Sequence, residues 1–184
     1  MFIFEKLELE GLYLITPPFY SDDRGFFMES YKKSIFIMNG INEEFCQDNH
    51  SKSTKNVLRG LHYQEGVYAQ GKLVRCIKGE IFDVAVDIRQ DSVTYGKWYG
   101  IVLSEENHLM LYIAPGFAHG FLTLSDNAEI VYKTTQEYKS EADKGIIWND
   151  PEIKIRWGLV NPILSEKDSK QPRLTECFPT LDKN

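Results

Sequence analysis

Apolar and polar residues alternate along short runs of this chain, and turn residues break the runs at close intervals. Phe82, Val84, Val86 and Ile88 alternate with Asp83, Ala85, Asp87 and Arg89, a period of two that marks a strand with one apolar face. Ten β-type runs can be read, at 12–16, 25–31, 44–51, 57–63, 72–78, 81–88, 98–103, 109–113, 120–123 and 128–135. Gly, Asn, Asp and Pro clusters separate them, which is the pattern of an all-β chain. One stretch, 32–38, reads as a helix and stops at Asn39-Gly40, a C-terminal cap signal. Residues 137–145 are polar and predict a loop. Beyond Pro162 strand signals fade, so the tail is expected to wrap the surface, with a short helix around 165–168. Ten short strands and a few short helices in a single domain over residues 1–184 favour a barrel or jelly roll. The interior of such a fold is lined by alternate residues of each strand, so polar residues at inward positions form a pocket.

Composition narrows the function classes. The 184 residues carry 21 Lys+Arg against 27 Asp+Glu, a net charge of -6. An acidic balance argues against a dedicated nucleic-acid protein, which shows a basic face. It is compatible with a nucleotide-linked ligand, because a few cations in a pocket suffice. No run approaches the ~20 apolar residues of a membrane span. Glu5, Lys6, Glu8 and Glu10 interrupt any apolar signal region, so no signal peptide is expected. The cysteines are Cys46, Cys76 and Cys177, an odd count without C-x-x-C spacing. They read as reduced thiols of a cytoplasmic protein, with Cys76 serving packing.

The candidate chemistry starts from the histidines. His50 and His108 sit in polar surroundings and read as surface residues. His62, in Leu58-Arg59-Gly60-Leu61-His62-Tyr63-Gln64, and His119, in Pro115-Gly116-Phe117-Ala118-His119-Gly120-Phe121, lie on strands among aromatics, where their side chains can converge. One use is metal binding, since neutral imidazole is a common ligand. Metal-binding barrels usually present His-x-His on one strand, and His62 is flanked at that spacing by Gly60 and Gln64. The other use is proton transfer, which needs a histidine oriented by a carboxylate. Asp168 is a candidate for that carboxylate, or else a helix-terminus charge. Tyr132 is a candidate acid, or else a core aromatic. Arg24, Arg59, Lys72 and Lys167 each sit beside a Gly or turn residue. A buried cation is costly without an anion, so those that point inward suit a phosphate or a developing oxyanion, and those that do not are solvated strand ends.

Taken together the motifs carry a resemblance. They are DDRGFFMES at 22–30, FCQDNHSKS at 45–53, NVLRGLHYQ at 56–64, QGKLVRCIKGEIFDVAVDIR at 70–89, SVTYGKWYGIVLSEEN at 92–107, PGFAHGFLTLSD at 115–126, EIVYKTT at 129–135, WNDP at 148–151 and ILSEKD at 163–168. In order and with short gaps, from about residue 12 to 168, the chain resembles the dTDP-4-dehydrorhamnose 3,5-epimerase family. That resemblance implies a cupin-like β-jelly roll, a homodimer, and a reaction without metal or cofactor. The implied substrate is a dTDP-linked 4-keto-6-deoxy sugar inverted at carbons 3 and 5. The implied roles make His62 the base, Asp168 its partner, Lys72 the cation facing the keto oxygen, and Tyr132 the acid on the opposite face. Arg59, His119 and Lys167 resemble substrate and diphosphate contacts. Gln47, Asp48 and Asn49 match the nucleotide end, Tyr138 a thymine-stacking ring, and Asp143 a ligand contact. Arg24, Phe27 and Glu29 match an N-terminal strand that crosses to complete the partner's site. Two departures stand out: Asp143 occupies a position where Glu is common, and Gly158 one where Pro is usual.

Overall fold

The computed structural model describes residues 1–178. In chain order its strands are β1 (Ile3–Lys6), β2 (Leu12–Thr16), β3 (Phe19–Asp22), β4 (Gly25–Met28), β5 (Gln47–Thr54), β6 (Leu58–Gln64), β7 (Lys72–Lys78), β8 (Glu80–Asp87), β9 (Trp98–Ser104), β10 (Met110–Ile113), β11 (Phe117–Thr123), β12 (Asn127–Thr134) and β13 (Asp143–Gly145). Three short helices are α1 (Lys33–Met38), α2 (Glu166–Ser169) and α3 (Leu174–Cys177). One sheet has the order β1-β2-β10-β7-β12-β5 and the other β13-β6-β11-β8-β9, while β3 and β4 pair as a separate hairpin. The strand pairs are antiparallel. The result is the jelly-roll sandwich that the dense punctuation predicts, cupin-like in its layout.

The two sheets face each other across a core that includes Leu12, Val74, Ile81, Ala85, Leu111 and Phe121. Each sheet is also covered on its outer face. Leu58, Leu61, Val84, Val86 and Leu122 pack under Ile146, Ile153, Trp157 and Leu174 from the C-terminal segment. Ile15, Leu73, Met110 and Tyr112 pack under Phe2, Phe36 of α1 and Ile41. This double burial corrects the reading of 81–88 as a strand with a single apolar face. Val84 and Val86 point outward to the tail, Ile81 and Ala85 point inward, and Asp83 and Asp87 are fully buried. The C-terminal tail is thus a covering layer that removes the outer face from water, which a local period cannot reveal.

Other departures have local causes. β1 carries Glu5 and Lys6 and sits at an exposed sheet edge, so it has little apolar signal. The run expected at 25–31 ends at Met28, where the β3–β4 hairpin closes. The strand expected from 44 starts at Gln47 and runs on to Thr54, through an almost wholly polar sequence. β13 lies inside the segment expected as loop; it forms because β6 offers an open edge, pairing Asp143 with Gln64 and Gly145 with His62.

One glycine sets the register that matters. Gly60 adopts φ +128°, and a Cβ there would lie 2.5 Å from the Gly120 Cα. The backbones of β6 and β11 approach more closely than side chains allow. The ladder is irregular between His119 and Phe121, and it places His119 directly opposite His62.

Candidate active site

His62 enters the interior from β6. Its Nε2 lies 2.6 Å from Asp168 Oδ1, on α2. α2 is fixed by its own N-cap, where Ser165 Oγ accepts from the Asp168 amide at 3.0 Å. Asp168 is buried, which pushes its carboxyl up, but hydrogen bonds from His62, Ser165 and the Gly60 amide outweigh that and hold it below the ordinary carboxylate value. An ionised carboxylate can only accept, so Nε2 carries the hydrogen and Nδ1 keeps the basic lone pair.

Tyr132 stands on β12, in the facing sheet. Burial raises the Tyr132 phenol above its ordinary value, with Arg59 opposing and Asp143 reinforcing the shift, so the hydroxyl keeps its proton at neutral pH. Lys72 stands on β7, next to β12 in the same sheet. It is 9% exposed, and among the described residues its Nζ has a single hydrogen-bond acceptor, the His62 carbonyl at 3.5 Å. Burial lowers its pKa to about 8, against partial compensation from Asp83 and Asp143. These groups share a cavity of about 190 Å³, also lined by Gln47, Asn49, Gln64, Asp143 and Lys167.

The rim is a connected polar cluster. Gln47 Nε2 donates to Asn49 Oδ1 at 2.9 Å, and Gln47 Oε1 accepts from the Tyr138 amide at 2.9 Å. Tyr138 is half exposed, and its hydroxyl donates to Asp143 Oδ2 at 3.0 Å. The same oxygen pairs with the Lys167 ammonium. Gln64 grips the main chain of Lys139, donating to its carbonyl at 2.8 Å and accepting from its amide at 2.9 Å.

Several expected site residues lie elsewhere in the chain. Asp48 alternates with Gln47 and Asn49 on β5, so its side chain points to the opposite face and pairs with Lys133 at 2.8 Å. Arg59 is exposed and donates to Ser53 Oγ at 3.0 Å, outside the cavity lining. His119 lies deeper, its Nε2 bonded to Asp83 Oδ1 at 2.8 Å. Arg24 pairs with Asp22 on the exposed hairpin, Phe27 is 67% exposed beside it, and Glu29 faces Lys32 at 4.0 Å. None of these three lines the cavity of its own chain. Gln64 was not singled out from the sequence, although it stands two residues from His62 and so on the same strand face. Among the described residues no three His, Cys, Asp or Glu side chains converge to form a metal site, and no helix is long and apolar enough to cross a membrane. The three cysteines are free thiols, Cys76 buried in the core.

A cupin-like jelly roll brings together a histidine from one sheet, paired with a carboxylate of α2, and a phenol and an ammonium from the facing sheet, the kinds of group that proton transfer uses. The family model described as dTDP-4-dehydrorhamnose 3,5-epimerase matches residues 6–176, so the chain belongs to the dTDP-4-dehydrorhamnose 3,5-epimerase family of isomerases. It is 56% identical to a dTDP-4-dehydrorhamnose 3,5-epimerase of Shigella flexneri, over 89% of this chain and 91% of that one. It is 54% identical to the protein of that name from Escherichia coli strain K12, over 94% and 95%. Among solved structures, the dTDP-6-deoxy-D-glucose-3,5-epimerase of Legionella pneumophila, in complex with dTDP-4-keto-L-rhamnose, superimposes with a TM-score of 0.91 and 44% identity, covering 95% of this chain and 94% of that one.

Proposed function

We propose that this protein inverts carbons 3 and 5 of dTDP-4-dehydro-6-deoxy-D-glucose to give dTDP-4-dehydro-L-rhamnose, in the cytoplasm, on the way to dTDP-L-rhamnose. The observation that carries the reading is that His62 and Tyr132 reach one cavity from facing sheets, with Lys72 lining the same space. Both target hydrogens lie next to the C4 carbonyl. His62 Nδ1 takes the proton, and the C–H electron pair moves into the ring as the carbonyl becomes an enolate. Lys72 stabilises the developing oxyanion, since a poorly paired buried ammonium gains most from a charge formed beside it. Asp168 offsets the imidazolium. Tyr132 then gives its proton to the same carbon from the other face, the C–O bond becomes a carbonyl again, and the configuration is inverted. The keto group itself is the electron sink, so no cofactor is called for.

The rim suits the nucleotide. Tyr138 offers an exposed flat ring for a base, Gln47 and Asn49 lie beside it, and Lys167 supplies a rim cation for a diphosphate, while Arg59 and His119, outside the cavity lining, are read as diphosphate contacts from the family resemblance alone. Arg24, Phe27 and Glu29 are read as completing a partner's site in a homodimer, with the hairpin crossing between subunits. Two large apolar side chains on that hairpin, Phe26 at 62% and Phe27 at 67% exposure, suit burial by a second copy. The test is incubation with dTDP-4-keto-6-deoxy-D-glucose in deuterated water, followed by NMR. Deuterium entering carbons 3 and 5 with L-configured product is the expected result. Inversion at a single carbon would make the protein a mono-epimerase, and no exchange at either would overturn the reading.

A further inference from the structure

We infer that Gln64 is a positioning residue that fixes the nucleotide platform to the strand carrying the base. The inference rests on the reading of Tyr138 as that platform. Residues 137–139 belong to no ladder, yet the Lys139 amide and carbonyl are both satisfied by one side chain, at 2.9 and 2.8 Å. The primary amide of Gln64 acts there as a substitute peptide unit, giving and receiving as a neighbouring strand would. Gln64 is 6% exposed, so little water is at hand to replace it.

The clamp is tied to the site at each end. Gln64 lies two residues from His62 on β6, so both side chains leave the same face of one strand. Opposite Gln64 in the ladder is Asp143, whose carboxylate accepts from the Tyr138 hydroxyl. The Tyr138 amide is held by Gln47 from the facing sheet. Ring tip, amide and following residue of Tyr138 are therefore referenced to three strands that border the cavity, β13, β5 and β6. The distance from ring to His62 is set by side chains and not by a loop free to drift. A platform at fixed distance from the base favours a ligand whose flat base and reacting sugar are separated by a diphosphate spacer of fixed length.

The experiment compares Gln64→Leu, which removes both bonds, with Gln64→Glu, which keeps the acceptor for the Lys139 amide. Three readouts are taken: amide exchange at Tyr138 and Lys139, calorimetric dTDP affinity, and kcat at saturating substrate. In Gln64→Leu the two amides should exchange faster and the dTDP Kd should rise about tenfold, the loss of about one net hydrogen bond, with a smaller change in kcat. Gln64→Glu should fall between that variant and the native protein, and it carries the test if Gln64→Leu does not fold. Unchanged exchange, or unchanged Kd while Tyr138→Ala still weakens dTDP, overturns the inference. So does a collapse of kcat with exchange unaltered, which would make Gln64 a direct substrate contact. Faster exchange with Kd unmoved in both Gln64→Leu and Tyr138→Ala would overturn the platform reading itself.

Discussion

His62 and Asp168, 106 residues apart in the chain, meet at 2.6 Å between imidazole Nε2 and carboxylate Oδ1. The contact depends on α2, a helix of four residues whose start is set by Ser165. Replacing Asp168 with Asn removes the charge that settles the imidazole tautomer and offsets its protonated form. Turnover should fall roughly 10²–10⁴-fold, the usual worth of a positioned acid–base group, while dTDP affinity stays near native. Steady-state rates and dTDP calorimetry check this; a loss under tenfold would remove Asp168 from the mechanism.

Tyr132 and His62 stand on different sheets, so removing the phenol leaves the base in place. Tyr132→Phe should still exchange substrate protons with solvent deuterium while forming little inverted product. NMR of the recovered sugar reads both quantities at once. Exchange and inversion falling together would show that Tyr132 supports the base and does not deliver the second proton.

Lys72 is a buried cation whose nearest acceptor is a carbonyl at 3.5 Å. Its pKa drops from 10.5 to about 8 because burial disfavours the charged form. The unfolded chain therefore binds a proton between those values that the folded chain does not. The penalty on folding is complete below about pH 8, shrinks as pH rises, and is gone above the unfolded value. It amounts to about 3 kcal/mol when complete. Lys72→Met should raise Tm at pH 7 by roughly 6–12 °C and abolish most turnover, so stability and activity move in opposite directions. In the native protein kcat/KM should decline above about pH 8, as the free enzyme loses the charge. A Tm that falls in Lys72→Met would mean the ammonium is well paired.

Much of this was legible in the sequence because strands and their breaks are local. The helix expected at 32–38 and found at 33–38, the edges of β7, those of β8 to within one residue, and the motif positions of His62, Tyr132 and Lys72 follow from neighbours in the chain. What was not legible depends on partners far away. Val84 and Val86 are covered by Trp157 and Leu174 of the tail, and no window around β8 contains them. β13 forms only because β6 leaves an edge open. Asp48 sits between two cavity residues, and its outward direction follows once the segment is known to be extended. Gln64 does its work through the Lys139 main chain, 75 residues away.

Gly60 tests the register directly. A Cβ at this position would meet the Gly120 Cα at 2.5 Å and the His119 carbonyl at 2.9 Å, both backbone atoms that cannot swing aside. Its φ of +128° is also strained for any side chain. Gly60→Ala should cost roughly 2–4 kcal/mol in denaturant unfolding and reduce turnover by displacing His62, two residues on. Gly25→Ala, where φ is +123° but nothing lies within 4 Å, should cost less. Equal costs would show that backbone strain alone decides, and that the close approach of β6 and β11 is relieved by small shifts.

The hairpin carrying Arg24 poses the last test, because none of its residues lines the cavity of its own chain. If Arg24 serves a partner's site, Arg24→Ala and His62→Asn should both be nearly inactive alone yet complement when mixed. In a heterodimer, the site that keeps His62 receives the hairpin that keeps Arg24, while the other site has lost both. Random reassociation of equal amounts puts half of the chains in heterodimers, and half of the sites there are intact. Activity should therefore recover to about a quarter of native, the statistical value for a two-fold dimer. The measurement is turnover after the two variants are unfolded together and refolded. A mixture no more active than the average of its parents would place Arg24 in its own subunit or outside the site altogether. An activity well above a quarter would mean that one of the variants is not inactive by itself.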